Sequence, residues 1–164
     1  MYNLRKMFVM LSLGFGSGLP YILLISTTSA WLRDAGVELS LIGFFAWITF
    51  AYTIKFIWAP LVDRFSVPYF ARYGHRKSWI ALMQIIIISA LLLLSNIDPV
   101  QSFLFFCVVA GLIAFAGSFQ DIAIDAFRIE YAHISDQGNL AAAYQLGYRL
   151  AIIAATSLAL IFAD

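Results

Sequence analysis

Charge is what this sequence has least of. Asp, Glu, Lys and Arg make up only 12% of its 164 residues, against about 25% in ordinary soluble domains. Ten basic and nine acidic residues nearly cancel to a formal charge of +1. No basic run exists to track a phosphate backbone, so nucleic acid is not an expected partner. Cysteine occurs once, as Cys107, which excludes an intrachain disulfide and, inside an apolar stretch, reads as packing. Histidine occurs twice, at His75 and His133, far apart and without cysteine or a second histidine at ligand spacing. Neither a metal site nor any other cofactor is expected.

What remains is apolar. Hydrophobic residues make up 63% of the chain and the mean hydropathy is +0.90. A soluble globule of this length has too little interior to hide such a surface, so the class is all-α integral membrane protein. Arg5 and Lys6 precede an apolar run, as in a signal peptide, but the run is too long and lacks a small-x-small end, so it reads as a retained helix. Five apolar segments are each long enough to cross a ~30 Å hydrocarbon core: residues 7–32, 40–62, 78–96, 102–129 and 140–163. Short connections at Arg33–Leu39 and Ile97–Gln101 make neighbouring helices antiparallel hairpins. Arg5, Lys6, Arg64, Arg72, Arg76, Lys77 and Arg128 fall on one side and only Arg33 on the other. That bias puts the N-terminus and the 63–77 loop in the cytoplasm and Asp164 on the far side.

Several polar residues lie inside these segments. In the first, Gly14 and Gly18 form a small-xxx-small pair that admits another helix closely, and Pro20 predicts a bend just beyond. Close packing is one reading; a helix that rocks around a cavity lined by Tyr21, Ser26, Thr27 and Thr28 is the other. The glycines do not bind a nucleotide, since no strand precedes them. Lys55 lies about 10 Å inside the second segment. Snorkelling and an ion pair within the bundle both account for it. The fifth segment carries Gln145 and, roughly 13 Å from its start, Arg149, which is always charged and must face partners or water. The loop 63–77 anchors to anionic lipid through its basic residues. Asp63 and Arg64 at one end, with Gly74, Arg76 and Lys77 at the other, could also latch two helix ends together.

The fourth segment ends in S-F-Q-D-I-A-I-D-A-F-R, Ser118–Arg128. At about 100° per residue Asp121, Asp125 and Arg128 share one face, a charged stripe on a greasy helix. Depth puts Asp121, Lys55 and Arg149 in one layer, with Asp125 a turn nearer the cytoplasm, where it reaches Arg128 at i,i+3. Two positive and two negative charges then nearly cancel, as desolvated charges must. Asp121 is the deeper carboxyl and the candidate for a group that binds and releases a proton; Asp125 and Arg128 complete a charge relay. Two aspartates four apart are also metal ligands in membrane phosphotransferases, but the second acidic pair of those enzymes is missing. No Ser–His or Ser–Lys arrangement suits hydrolysis. An enzyme is not expected.

The residues just named also carry a family likeness. G-F-G-S-G-L-P (14–20), A-Y-T-I-K-F-I-W-A-P-L-V-D-R (51–64), G-H-R-K-S-W (74–79), S-F-Q-D-I-A-I-D-A-F-R (118–128) and G-Y-R-L (147–150) together resemble the AmpG-type muropeptide permeases of the major facilitator superfamily. Asp63-Arg64 with Gly74–Lys77 is similar to that superfamily's gate loop between its second and third helices. The resemblance implies a proton symporter of the bacterial inner membrane whose substrates are anhydromuropeptides from cell-wall recycling. It implies proton coupling or charge relay at Asp121 and Asp125, with Lys55 and Arg149 facing the substrate cavity. Gln145 and Tyr21 are added as candidates for that cavity from their places in the helices. Acetyl-CoA transporters are similar more weakly. Such proteins have twelve or more helices, in halves of three-plus-three inverted repeats. Residues 1–164 therefore read as part of an N-terminal transmembrane domain, a five-helix and incomplete bundle. The expectation is a piece that does not transport alone and awaits a complementing half; a non-transporting membrane interaction subunit is the alternative.

Overall fold

The computed structural model describes residues 4–65, 67 and 74–162. The middle of the predicted 63–77 loop, with Arg72, and Ala163 at the end of the fifth predicted segment lie outside the described residues. Among the described residues every regular element is a helix. In chain order these are α1 (Leu4–Ile22), a π turn (Leu23–Thr27), α2 (Thr28–Asp34), α3 (Leu39–Ala46), a 3₁₀ turn (Trp47–Thr49), α4 (Phe50–Thr53), a 3₁₀ turn (Lys55–Ile57) and α5 (Ala59–Arg64). They continue with α6 (His75–Leu94), α7 (Phe103–Tyr131), a 3₁₀ turn (Ile134–Asp136) and α8 (Gln137–Phe162).

Three helical stretches are long and apolar enough to cross a membrane: Leu4–Asp34, His75–Leu94 and Phe103–Tyr131. The stretch Leu39–Arg64 makes a fourth if its two parts, bent by 41°, count as one crossing. The single second helix expected over 40–62 is thus corrected to a broken one. Pro60 has no amide hydrogen, and its ring clashes with the carbonyl four residues back in a continuous helix. The chain turns through Ile54 and Trp58, at φ −92° and −100°, and restarts with Pro60 in the first turn of α5. The first span carries Pro20 inside α1, and a π turn begins three residues later. α8 runs for 26 residues and carries Gln137, Asn139, Gln145 and Arg149 in its first half.

The long helix α7 sits at the centre, touching α1, α4, α5, α6 and α8. One apolar core joins it to α2, α3, α5 and α6 through residues such as Leu32, Phe45, Val62, Ile87, Phe106 and Ile113. A smaller one joins it to α1 and α8 through Met10, Phe127, Leu140 and Ala143. Trp58 ties the broken span to α7: its indole stacks on Phe119 with centroids 5.9 Å apart and donates a 3.0 Å hydrogen bond to Ser118 Oγ.

Glycine lets α1 and α8 touch backbone to backbone. A methyl group at Gly14 would overlap the Tyr144 carbonyl, and one at Gly18 would lie 2.8 Å from the Tyr148 carbonyl oxygen. One at Gly147 would overlap the Leu11 carbonyl. The small-xxx-small pair is therefore a helix-packing surface. The C-terminal carbonyls of α7, orphaned as at every helix end, are capped by one side chain. Gln137 Nε2 lies 3.1 Å from Arg128 O and 2.9 Å from Ala132 O.

Candidate functional site

Two charged groups lie along α7. The first is centred on Asp121, whose side chain is 15% exposed. The Ser17 hydroxyl of α1 donates to Asp121 Oδ1, and the Tyr144 hydroxyl of α8 donates to the same atom at 3.5 Å. Lys55, on the 3₁₀ turn that follows the break, brings Nζ to 3.9 Å from Asp121 Oδ2 and 4.0 Å from Asp125 Oδ2. Arg128 Nη2 lies 3.5 Å from Asp125 Oδ1, one turn along the helix. The carboxylates are four apart and so face the same way. They share one ammonium, and the guanidinium serves only the outer one. Asp125 is 51% exposed, so the two acids differ in surroundings as well as in partners.

Of the two accounts of Lys55, the contacts observed are those of an ion pair within the bundle. Its position follows from the break: a continuous helix through Pro60 would not turn the chain at Ile54. Four tyrosines surround Asp121. Tyr21 of α1 meets Tyr52 of α4 edge to face at 5.1 Å and Tyr148 of α8 at 6.2 Å; Tyr148 lies 6.4 Å from Tyr144. Gly117 makes room for Tyr52, because a methyl there would overlap the phenol oxygen. The Tyr52 hydroxyl is buried without a hydrogen-bond partner. Ring faces, hydroxyls, one ammonium and one buried carboxyl thus converge where α1, α4, α7 and α8 meet. Such a mixture can hold a polar, partly apolar molecule and move a proton beside it.

Gln145 and Arg149 are exposed on α8. Arg149 forms no ion pair with any described residue, so the layer expected from depth holds Asp121 and Lys55 without it.

The second group joins the ends of α5, α6 and α7. Arg76 Nη1 lies 2.6 Å from Asp63 Oδ1, and its Nε lies 3.0 Å from Glu130 Oε1. His75 Nε2 is 2.8 Å from the Val62 carbonyl and Trp79 Nε1 donates to the Phe65 carbonyl at 2.7 Å. Gly74 precedes α6 at φ 98°, a conformation that favours glycine, and its carbonyl accepts from Ser78 Oγ at 2.7 Å. Lys77 Nζ sits 5.8 Å from the Phe127 ring centroid, and Arg64 is exposed. Lys6 Nζ lies 5.2 Å from the Tyr131 ring centroid, so the start of α1 shares this end of the bundle. Among the described residues no three His, Cys, Asp or Glu side chains group as ligands for a metal ion.

Sequence reasoning missed Ser17, Tyr52, Tyr144, Tyr148, Glu130 and the carbonyl contact of His75. Tyr144 and Tyr148 carried a signal in their i,i+4 spacing, and Glu130 in standing two residues after Arg128. Ser17, next to Gly18, carried none.

Comparison with known proteins adds the family. A family model described as acetyl-coenzyme A transporter 1 matches residues 6–108. The Escherichia coli protein named anhydromuropeptide permease is 36% identical over 156 residues, 95% of this chain and 31% of that protein. A Rickettsia conorii protein whose name assigns it to the AmpG transporters is 34% identical over 163 residues, 99% of this chain and 39% of its own length. The chain thus spans about a third to two fifths of these relatives. No solved structure matches. With its apolar spanning helices and relatives named as transporters and permeases, this is a multi-pass membrane protein. It belongs to the family described as acetyl-coenzyme A transporter 1 and is similar along nearly its whole length to AmpG-type anhydromuropeptide permeases.

Proposed function

We propose that residues 1–164 form part of the N-terminal transmembrane domain of a proton-coupled importer of anhydromuropeptides, built as a major-facilitator bundle with α8 as its fifth crossing. The domain lies in the bacterial inner membrane, with Arg5, Lys6 and the Asp63–Arg76–Glu130 group at the cytoplasmic face and the end of α8 at the periplasmic one. Asp121 is the proton-binding carboxyl. Lys55 neutralises it when ionised, and Asp125 with Arg128 relays charge toward the cytoplasm. Substrate meets the tyrosines around Tyr21, with Gln145 and Arg149 on the open face of α8 reaching it from the side; a muropeptide's carboxylates suit Arg149. Asp63, Arg64, Gly74, Arg76 and Lys77 serve as the gate. The partners are lipid, protons, substrate and the transporter half that completes the cavity.

One observation carries this reading. A largely buried aspartate is held by a hydroxyl from α1, a phenol from α8 and an ammonium from the broken span, in a chain 36% identical to a named anhydromuropeptide permease. Ionisable side chains within membrane segments mark ion and substrate pathways.

The test is a chimera in which residues 1–164 replace the matching stretch of the Escherichia coli permease. It is expressed in cells lacking their own permease and assayed with labelled anhydromuropeptide. Uptake is expected, and should vanish when the proton gradient is collapsed. Asp121→Asn should abolish uptake while the protein stays in the membrane; normal pH-dependent uptake by that variant would remove Asp121 from the mechanism. The family match over 6–108 favours a second substrate, acetyl-CoA. Competition of acetyl-CoA for muropeptide uptake distinguishes it.

A further inference from the structure

Two groups beside Asp121 are left unsatisfied, and they complement each other. The Ser17 and Tyr144 hydroxyls both donate to Asp121 Oδ1. Oδ2 receives no hydrogen bond from any described residue, and Lys55 Nζ stands off from it at 3.9 Å, beyond hydrogen-bond range. The same ammonium is 4.0 Å from Asp125 Oδ2, so it lies between the two carboxylates and hydrogen-bonds neither. The Tyr52 hydroxyl is buried and has no partner either. It lies against Gly117, where an added methyl would overlap it, one helical turn before Asp121 on the same face of α7. A helical side chain leans back over the turn that precedes it. The Asp121 carboxyl therefore leans toward the ground that Tyr52 occupies, and its charge acts on the phenol. Facing Asp121 are Tyr21 of α1, Tyr52 and Lys55 of the broken span, Asp125 of α7 itself, and Tyr144 and Tyr148 of α8.

We propose that Tyr52 is a positioning residue for the proton-binding step: when Asp121 takes up its proton, Lys55 goes wholly to Asp125 and the Tyr52 hydroxyl bonds to Asp121 in its place. The inference rests on the reading of Asp121 as the proton-binding carboxyl. A carboxylate in apolar surroundings needs a cation beside it. A neutral carboxyl does not, and it offers an O–H as well as acceptor oxygens. Phenol and carboxyl can then donate in either direction, so both groups are satisfied. The added proton stays on Asp121; Tyr52 remains a neutral phenol and Lys55 an ammonium throughout. Lys55 has a flexible four-carbon stem, and the bend at Ile54, φ −92°, separates it from Tyr52, so the two side chains can move independently. Phenylalanine would fill the same space with no buried unpaired group. A state in which the hydroxyl is bonded explains why tyrosine stands there.

Infrared difference spectroscopy on the purified chimera, stepped from alkaline to acidic pH, tests this without transport. Acidification should raise a protonated-carboxyl C=O band that Asp121→Asn removes. Tyr52→Phe should move that band to higher frequency, as loss of a hydrogen bond to the carboxyl does. The same variant should unfold thermally at a midpoint equal to or above the parent's, because an unpaired buried hydroxyl is gone. In the uptake assay it should lower gradient-driven accumulation of labelled anhydromuropeptide about three- to tenfold, the worth of one hydrogen bond to an uncharged group. An unmoved band, or a Tyr52→Phe chimera that unfolds earlier than the parent, would overturn the proposal and leave Asp121 as the proton-binding carboxyl. A spectrum in which Asp121→Asn removes no band would overturn that reading and the proposal with it.

Discussion

At the scale of single residues, glycine does two different jobs in this chain, and the difference is measurable. Gly14 faces a backbone carbonyl of α8, whereas Gly43 of α3 has nothing within 4 Å of an added methyl. Gly14→Ala should force α1 and α8 apart and cost about 1–3 kcal/mol, the usual range for overpacking. Gly43→Ala should be neutral or stabilising by about 0.5–1 kcal/mol, because alanine restricts the unfolded chain. Unfolding of purified chain in mixed micelles, followed by circular dichroism, separates the two. Opposite order would mean that the α1–α8 contact is not where the glycine matters. The charged residues of the candidate site were legible because charges inside an apolar run are rare and seek partners. Asp121, Asp125, Arg128 and Lys55 stood out for that reason, and the structure brings them together. Ser17 and the tyrosines did not stand out. Hydroxyls and aromatic rings are ordinary in membrane helices, and only the packing of four elements turns Tyr21, Tyr52, Tyr144 and Tyr148 into one cluster. Arg149 shows the limit of depth counting. Distance along a helix gives a layer but not the side on which a residue points.

Among elements, apolar length located the helices within a few residues but could not show a break. Residues 40–62 are long and apolar enough for one crossing, yet Pro60 and the turns at Ile54 and Trp58 divide them. Proline near the end of a run could have signalled this, since its effect reaches back one turn. The loop latch was legible in outline from an acid at one end and bases at the other. That Arg76 also holds Glu130 of α7 follows from where a 29-residue helix happens to end. Arg76 thus joins three elements through one planar group. Arg76→Lys should keep the charge but not the two-direction fork, and Arg76→Ala should lose both contacts. Both carboxylate partners are more than half exposed, so each pair is worth up to about 1 kcal/mol. The expected result is a stability loss near ~1–2 kcal/mol for alanine and a smaller one for lysine. Proteolysis of the 63–77 segment in oriented vesicles, faster in the order wild type, lysine, alanine, checks it. Equal rates would show that the guanidinium does not hold these ends.

For the molecule as a whole, α7 decides the arrangement. Buried on most sides, it presents Asp121 and Asp125 to one side and Gln120 to another. If the proposed transporter reading holds, the isolated chain inserts but does not move substrate, because a facilitator's cavity lies between two halves. Cells lacking their permease and expressing residues 1–164 alone should show no muropeptide uptake above background; uptake by this chain unaided would make it self-sufficient.

The π turn at Leu23–Thr27 has a mechanical consequence. Below it, Met10 and the glycine contacts bind α1 to α8 and the end of α7. Above it, Leu32 joins the larger core, and Trp31 meets Phe106 edge to face at 5.4 Å. The first span is thus clamped into two separate blocks, with a looser turn of backbone between the clamps. A rotation imposed on one block can be taken up as twist at that joint, so the two ends of the first span need not move in phase.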